Sequence, residues 1–61
     1  MNNKNEILIE FVVQGNFVKA TAIDSATGTE ASIVGPANAG REALMIAARR
    51  KLEYVLKKTK S

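Results

Sequence analysis

The sequence predicts an α+β domain in which a three-stranded antiparallel β-meander is followed by one C-terminal amphipathic helix. Three observations lead to this prediction. Two apolar segments flank a Gly-Asn pair, a second turn-forming segment precedes a third apolar segment, and the last third of the chain is rich in helix-forming residues. A chain of 61 residues is long enough for one domain, which we assign to residues 1–61.

The first two strands are predicted over 7–14 and 17–24, on either side of Gly15 and Asn16. The segment before this pair is rich in β-branched and aromatic residues, which favour strands. Gly and Asn both tolerate positive φ, as a two-residue hairpin loop requires. Such a loop sets the register, and in that register every second cross-strand pair joins two apolar residues. This separation into one apolar and one mixed face supports the hairpin.

The third strand is predicted over 29–35, after a turn formed by residues 25–28. Gly28 can take the left-handed conformation that such a turn needs. The strand is expected to end before Pro36, because proline has no N–H for the ladder. Counting through this second turn places apolar residues of the third strand on the same face as those of the first two.

The helix is predicted over 39–58, where Ala, Leu, Met, Arg, Lys and Glu predominate. Asn38 is the preferred N-cap and Gly40 is the alternative. Apolar residues recur at helical spacing and form one stripe, which we expect to cover the apolar sheet face. The stripe consists of Leu44, Met45, Ala48, Leu52, Val55 and Leu56. The sheet face beneath it, here called the helix side, consists of Ile7, Ile9, Phe11, Val13, Val18, Ala20, Ala22, Ala31 and Ile33.

The composition excludes several classes of chemistry. The chain has no Cys and no His, so disulfides, thiolate zinc sites, cysteine nucleophiles and the usual general base are absent. We therefore predict a protein that is not an enzyme and holds no cofactor and no metal. No apolar run approaches the roughly 18 residues of a membrane span, and the polar N-terminus does not resemble a signal peptide. The expected compartment is the cytoplasm.

Charge is distributed unevenly along the chain. Residues 1–40 carry two basic and four acidic side chains, a net charge of −2, whereas residues 41–61 carry seven and two, a net charge of +5. The basic charge therefore belongs to the helical segment. Such polarity suggests an anionic partner.

The sheet face turned away from the helix, here called the outer face, is half apolar. In the predicted register it carries Leu8, Glu10, Val12, Phe17, Lys19, Thr21, Ile23, Glu30, Ser32 and Val34. A mixed face of this kind is common on small solvated sheets. The alternative is an interface, by which the chain forms a homodimer or binds another protein through the open face or a strand edge. The candidate interface residues are Leu8, Val12, Phe17, Ile23 and Val34.

The basic helix offers a second function, that of a nucleic-acid-associated protein. Lysines and arginines in a row bind phosphates with salt-sensitive affinity and little sequence preference. The simpler interpretation is a solvated helix face whose terminal lysines complement the helix dipole. The candidate phosphate contacts are Arg41, Arg49, Arg50, Lys51, Lys57 and Lys58.

The three predicted strands followed by the helical segment 40–53 also resemble the C-terminal half of a double-stranded-RNA-binding domain, over roughly residues 7–56 by architecture. That family has a Lys-Lys-x-Ala-Lys opening followed by an Ala-Ala pair, and its lysines contact phosphates across the major groove. Gly40 and Leu44 stand where two of the three lysines would be, so only Arg41 carries over as a phosphate contact. The family's first helix is not expected here, since the residues before Ile7 are too few to form it. The matching positions are Arg41, Glu42, Ala43, Ala47, Ala48 and Leu52.

A second resemblance covers nearly the whole chain. Residues 21–24, 27–30, 32–37 and 50–55 are similar to a small uncharacterised family of bacterial proteins of βββα architecture. The resemblance implies a bacterial cytoplasmic protein without an established activity, and it adds no catalytic residues.

Overall fold

The computed structural model describes residues 6–60, so the assigned domain bounds of 1–61 extend beyond the described residues at both ends. The predicted α+β architecture of βββα order is confirmed. Three antiparallel strands lie in the order β1-β2-β3, and a single helix packs on one face of the sheet. The elements are β1 (Ile7–Gln14), β2 (Phe17–Asp24), β3 (Glu30–Pro36), a 3-10 turn (Ala37–Ala39) and α1 (Arg41–Lys60).

The β1–β2 hairpin has the predicted bounds and register. Gln14 pairs with Phe17 across the loop, and the ladder continues to the start of β1. Gly15 takes a φ of 62°, and Asn16 does not take a positive φ. One positive φ at the first loop position is the pattern of a type II′ turn, which needs glycine only there. The hairpin therefore depends on Gly15 and not on both loop residues.

The second turn is closed by backbone hydrogen bonds around Asp24. The Asp24 N–H donates to the Thr29 carbonyl at 2.8 Å, and the Gly28 N–H donates to the Asp24 carbonyl at 2.7 Å. The Asp24 carboxylate accepts a hydrogen bond from the Thr27 hydroxyl at 2.7 Å. Gly28 has a φ of 78°, as expected for the residue that reverses the chain.

The third strand lies one residue later than predicted, at Glu30–Pro36 instead of 29–35. Pro36 extends the ladder because it stands opposite Phe17, at a position whose N–H would point away from β2. The next residue restores the bonding, since the Ala37 N–H donates to the Asn16 carbonyl at 2.8 Å. Proline at the free side of an outer strand costs no ladder hydrogen bond.

The predicted start of the helix was wrong by two residues, because α1 spans Arg41–Lys60 instead of 39–58. Asn38 lies inside the 3-10 turn and is not the N-cap. The Gly40 carbonyl accepts the first helical hydrogen bond, from the Leu44 N–H at 3.3 Å. Gly40 has a φ of 91°, which glycine reaches without the strain another residue would meet. The alternative cap is therefore the one adopted.

The core is built from small residues on the sheet and larger ones on the helix. Ala20 and Ala22 on β2 have no exposed surface, and neither do Ala48 and Leu52 on α1. The remaining buried apolar residues are Val18, Ala31 and Leu44. Alanines at the sheet centre bring the helix close to the strands. Gly35 also allows the helix to lie close to the sheet, because an added Cβ would lie 2.5 Å from the Leu44 side chain.

The helix packs mainly on β2 and β3 and leaves β1 less covered. One helix is about 10 Å wide and strands are about 4.8 Å apart, so a helix spans two strands and not three. The prediction that the helical stripe covers the whole helix side is wrong for Val13, which is 67% exposed. Ile7, Ile9 and Phe11 are half-buried at the margin of the core.

Candidate functional site

The five candidate interface residues lie on the outer face, as predicted from the register. Within residues 6–60 there is one α-helix, and it packs on the opposite face, so these side chains meet no covering element. Ile23 is half-buried between its neighbours on the sheet. The other four are exposed, at 50% for Leu8, 43% for Val12, 55% for Phe17 and 63% for Val34.

A polar row divides the outer face into two apolar parts. Glu10, Thr21 and Ser32 stand opposite one another across the three strands. The Thr21 and Ser32 hydroxyls share a hydrogen bond of 2.8 Å, and Thr21 is buried. Leu8 and Ile23 form a direct cross-strand pair on one side of this row.

The larger apolar part lies on the hairpin side of the polar row. Val12, Lys19 and Val34 are opposite one another across the sheet, so the Lys19 ammonium rises between two valines. Phe17 is in the next row, between Gln14 and Pro36. The candidate interface is therefore two apolar patches and not one continuous surface.

The two outer strands expose their backbone differently. In β1 the hydrogen-bonded pairs include Gln14 with Phe17, and the Glu6 carbonyl accepts from the Ser25 N–H at 3.1 Å. Because such pairs alternate along an antiparallel ladder, the odd-numbered residues of β1 direct N–H and C=O away from β2. We call these outward groups the β1 edge, and they belong to Ile7, Ile9, Phe11 and Val13.

The edge of β3 is obstructed at two points. The same alternation directs the N–H and C=O of its even-numbered residues outward. The Lys51 ammonium reaches around from α1 and donates to the outward Ser32 carbonyl at 2.9 Å. Pro36 has no N–H to offer. A lysine and a proline are two devices by which proteins keep an edge strand from pairing with another chain.

Sequence reasoning did not detect this difference between the edges. Pro36 is a visible signal, but from the sequence alone it predicts the end of a strand equally well. The part played by Lys51 depends on where α1 crosses the sheet, which the local sequence does not specify.

The six candidate phosphate contacts do not form one row. Arg41 lies at the start of α1 with its guanidinium 5.5 Å from the centre of the Phe11 ring, a cation–π arrangement. Lys51 is engaged with β3. Lys58 holds its ammonium 5.5 Å from the centre of the Tyr54 ring. Arg41 and Lys51 are thus directed toward the sheet, whereas Lys58 is directed toward the Tyr54 ring on α1 itself.

The other three cations are exposed on α1. Arg50 and Lys57 are seven residues apart and therefore share one side of the helix, and Arg49 flanks them. Arg50 and Lys57 also line a depression of about 450 Å³ together with Glu53, Tyr54 and Leu56. All five lining residues belong to one helix, so the depression is a groove along its surface. The Glu53 carboxylate between the two cations lowers the positive potential there.

The fold and these surfaces define the class of protein, a small α+β domain of βββα order that presents an open sheet and a basic helix. The chain belongs to the family described as a domain of unknown function (DUF6898), whose model matches residues 4–59. This match confirms the predicted membership in a family without an established activity. Neither a curated protein nor a solved structure matches the chain. Among residues 6–60, no helix has the length and apolar character needed to cross a membrane.

Proposed function

We propose that this protein is a non-catalytic interaction module that self-associates through its sheet, by the outer face or by a strand edge. The observation that supports the proposal is the apolar surface left on the sheet, where Leu8, Val12, Phe17 and Val34 are each at least 43% exposed. Apolar side chains grouped on an uncovered face are a common mark of an interface.

The small core provides an independent reason for self-association. A domain of about 60 residues buries only about 60% of the surface of its unfolded chain. In the part of the chain that the structure describes, the fully buried side chains are mainly alanines, and Leu52 is the only large one. Domains of this size commonly gain stability by oligomerisation, and this chain has no cysteine for a disulfide.

Val12→Asp is expected to weaken self-association by on the order of tenfold or more, because an unpaired carboxylate buried at an interface costs at least about 1–3 kcal/mol. Val12 is on the outer face of β1, so a dimer formed through the face and a dimer formed through the β1 edge are both affected. Sedimentation velocity over a concentration series measures the dissociation constant.

Val12→Thr is the matched control, since threonine keeps the β-branched shape without a charge. We expect it to retain most of the affinity. A wild-type chain that sediments as a single molecule at every concentration contradicts the proposal, as does a Val12→Asp variant whose dissociation constant is unchanged.

A second candidate function is association with nucleic acid through α1. It is supported by Arg49, Arg50 and Lys57, which are exposed on neighbouring sides of the helix. The net charge of +5 over residues 41–61 favours the same function. We place it second because Glu53 lies between two of the cations and because Arg41 and Lys51 are directed toward the sheet.

Titration with duplex RNA and duplex DNA at two salt concentrations tests this candidate. Three phosphate contacts predict that the affinity for DNA falls about 40-fold between 50 and 200 mM salt, from a slope of about −0.9 per contact. The double variant Arg50→Ala, Lys57→Ala should flatten the slope, and Lys19→Ala on the outer face should not. Absence of binding at the lower salt concentration rules the function out.

A further inference from the structure

We infer that the β1 edge is the surface through which two copies of this chain assemble, giving a continuous six-stranded antiparallel sheet with the two β1 strands at its centre. The inference rests on the proposed self-association and specifies its surface and geometry. Four features of the molecule support it: the state of the two edges, the apolar column on β1, the register and the size of the contact.

The first feature is the difference between the two edges. Lys51 and Pro36 obstruct the edge of β3, whereas no other strand of residues 6–60 pairs with the outward side of β1. A contact between β1 of one copy and β3 of the next is head-to-tail and would repeat into a ring or a filament. Obstruction of β3 at two points disfavours that contact. Pairing of β1 with β1 uses the same surface on both copies and closes as a two-fold dimer.

The second feature is the apolar column on the helix side of β1. Ile7, Ile9 and Phe11 are half-buried and Val13 is 67% exposed, because α1 packs mainly on β2 and β3. The same four residues direct their N–H and C=O groups outward. Pairing of β1 with β1 of a second copy therefore gives hydrogen-bond partners to the outward N–H and C=O groups. It also places the apolar column of one copy beside the apolar column of the other. The outer face lacks this continuity, since its polar row separates two apolar patches.

The third feature is the register that two β1 strands can adopt. Pairing centred on Phe11 places Ile9 opposite Val13 of the second copy and keeps apolar residues together. Pairing centred on Glu10 would place two carboxylates directly opposite, which is unfavourable. Pairing centred on Ile9 would leave Val12 and Val13 beyond the partner's β1. The Phe11-centred register is the one we assign.

Charge complementarity favours the same register. It places Glu10 opposite Val12 of the second copy, and Val12 is paired with Lys19 within its own sheet. The Glu10 carboxylate and the Lys19 ammonium of the other copy then share one row of the outer face. Their Cα atoms are about 10 Å apart, two strand spacings, a distance that the two long side chains span.

The fourth feature is the size of the contact. In the Phe11-centred register residues 8–14 of the two β1 strands are paired, because Ile7 falls opposite Gly15, and this segment extends over about 24 Å. A strip of that length buries on the order of 1,000 Å² in total, at the low end of specific interfaces, while each chain exposes 4489 Å². The dimer is therefore expected to be weak, and it should be studied up to high micromolar concentration.

Three variants of the full chain separate edge pairing from face pairing by sedimentation velocity. Val13→Pro removes an outward N–H without removing a β1–β2 hydrogen bond, and Val13→Ala removes side-chain surface but keeps the N–H. Val34→Asp places a charge on the outer face of β3, away from the β1 edge. Edge pairing predicts that Val13→Pro weakens the dimer at least tenfold, while Val13→Ala weakens it much less and Val34→Asp leaves it unchanged.

The outcomes distinguish this inference from the proposed function. If the dimer survives Val13→Pro but is lost with Val34→Asp, self-association is supported, and the β1 edge is not its surface. If Val13→Pro and Val13→Ala weaken the dimer equally, the Val13 N–H plays no part in the contact. That result also contradicts pairing through the β1 edge. A wild-type chain that stays monomeric at every concentration overturns both.

Amide hydrogen exchange of the wild-type chain gives a test that does not depend on a variant folding. Dimer formation through the β1 edge predicts that hydrogen exchange of the Ile9, Phe11 and Val13 amides slows as protein concentration rises. The outward amides of Ser32 and Val34 on β3 serve as internal controls and should not slow. If all five amides show the same dependence on concentration, or none at all, in a sample that sediments as a dimer, the edge is not the interface.

Discussion

Leu52→Ala is expected to leave most of the protein unfolded at 25 °C. Among the described side chains, Leu52 is the only large one with no exposed surface, and it belongs to the core cluster between α1 and the sheet. Truncating a buried leucine costs about 2–5 kcal/mol, from lost transfer energy and the cavity left behind. A core of this size rarely supplies more than about 3–5 kcal/mol in total. Far-UV circular dichroism with urea titration measures the loss.

Ile46→Ala provides the control for this prediction. Ile46 is on the same helix and is 45% exposed, so its truncation creates no enclosed cavity and should cost less than about 1 kcal/mol. If both variants lose the same free energy of unfolding, the core does not lie where the structure places it.

Ala48→Leu has the second largest expected effect, a loss of about 1–3 kcal/mol in the free energy of unfolding. Ala48 has no exposed surface and lies in the same cluster as Ala20 and Ala22, so a larger side chain must push α1 away from the sheet. Overpacking a tight contact forces strained rotamers and backbone shifts of about that cost. Urea unfolding and the thermal midpoint measure the change.

Ala47→Leu is the matched control, because its neighbour in the chain carries the same substitution on an exposed position. Alanine and leucine are both strong helix formers, so intrinsic helix propensity affects the two variants alike. The difference between them isolates the packing of α1 on the sheet. An Ala48→Leu variant as stable as Ala47→Leu contradicts a close approach of helix and strands.

The strand register could be predicted from the sequence because short-range chemistry determines it. A two-residue loop at Gly15 and Asn16 leaves one way to begin the β1–β2 ladder, and alternation of side chains carries that register to the end of the hairpin. The turn around Gly28 determined the second ladder in the same way. The two registers together determine which residues lie on the outer face, and therefore where each candidate interface residue lies.

Element ends were less predictable. The third strand ends at Pro36, one residue later than predicted, because the missing N–H of Pro36 lies on the side turned away from β2. Which side it lies on depends on the β2–β3 ladder. The helix start was displaced by two because residues 37–39 form a 3-10 turn and Gly40 takes the cap position. Several residue types can cap a helix, and packing of the connecting segment selects among them.

The sequence by itself determined which residues lie on each face of the sheet, because the loops and the side-chain alternation are local properties of the chain. Only the tertiary structure decided which strands α1 covers and which strand edge it obstructs. The physical reason is that one helix spans about two strands. Its placement over β2 and β3 exposes Val13 and brings the Lys51 ammonium to the Ser32 carbonyl.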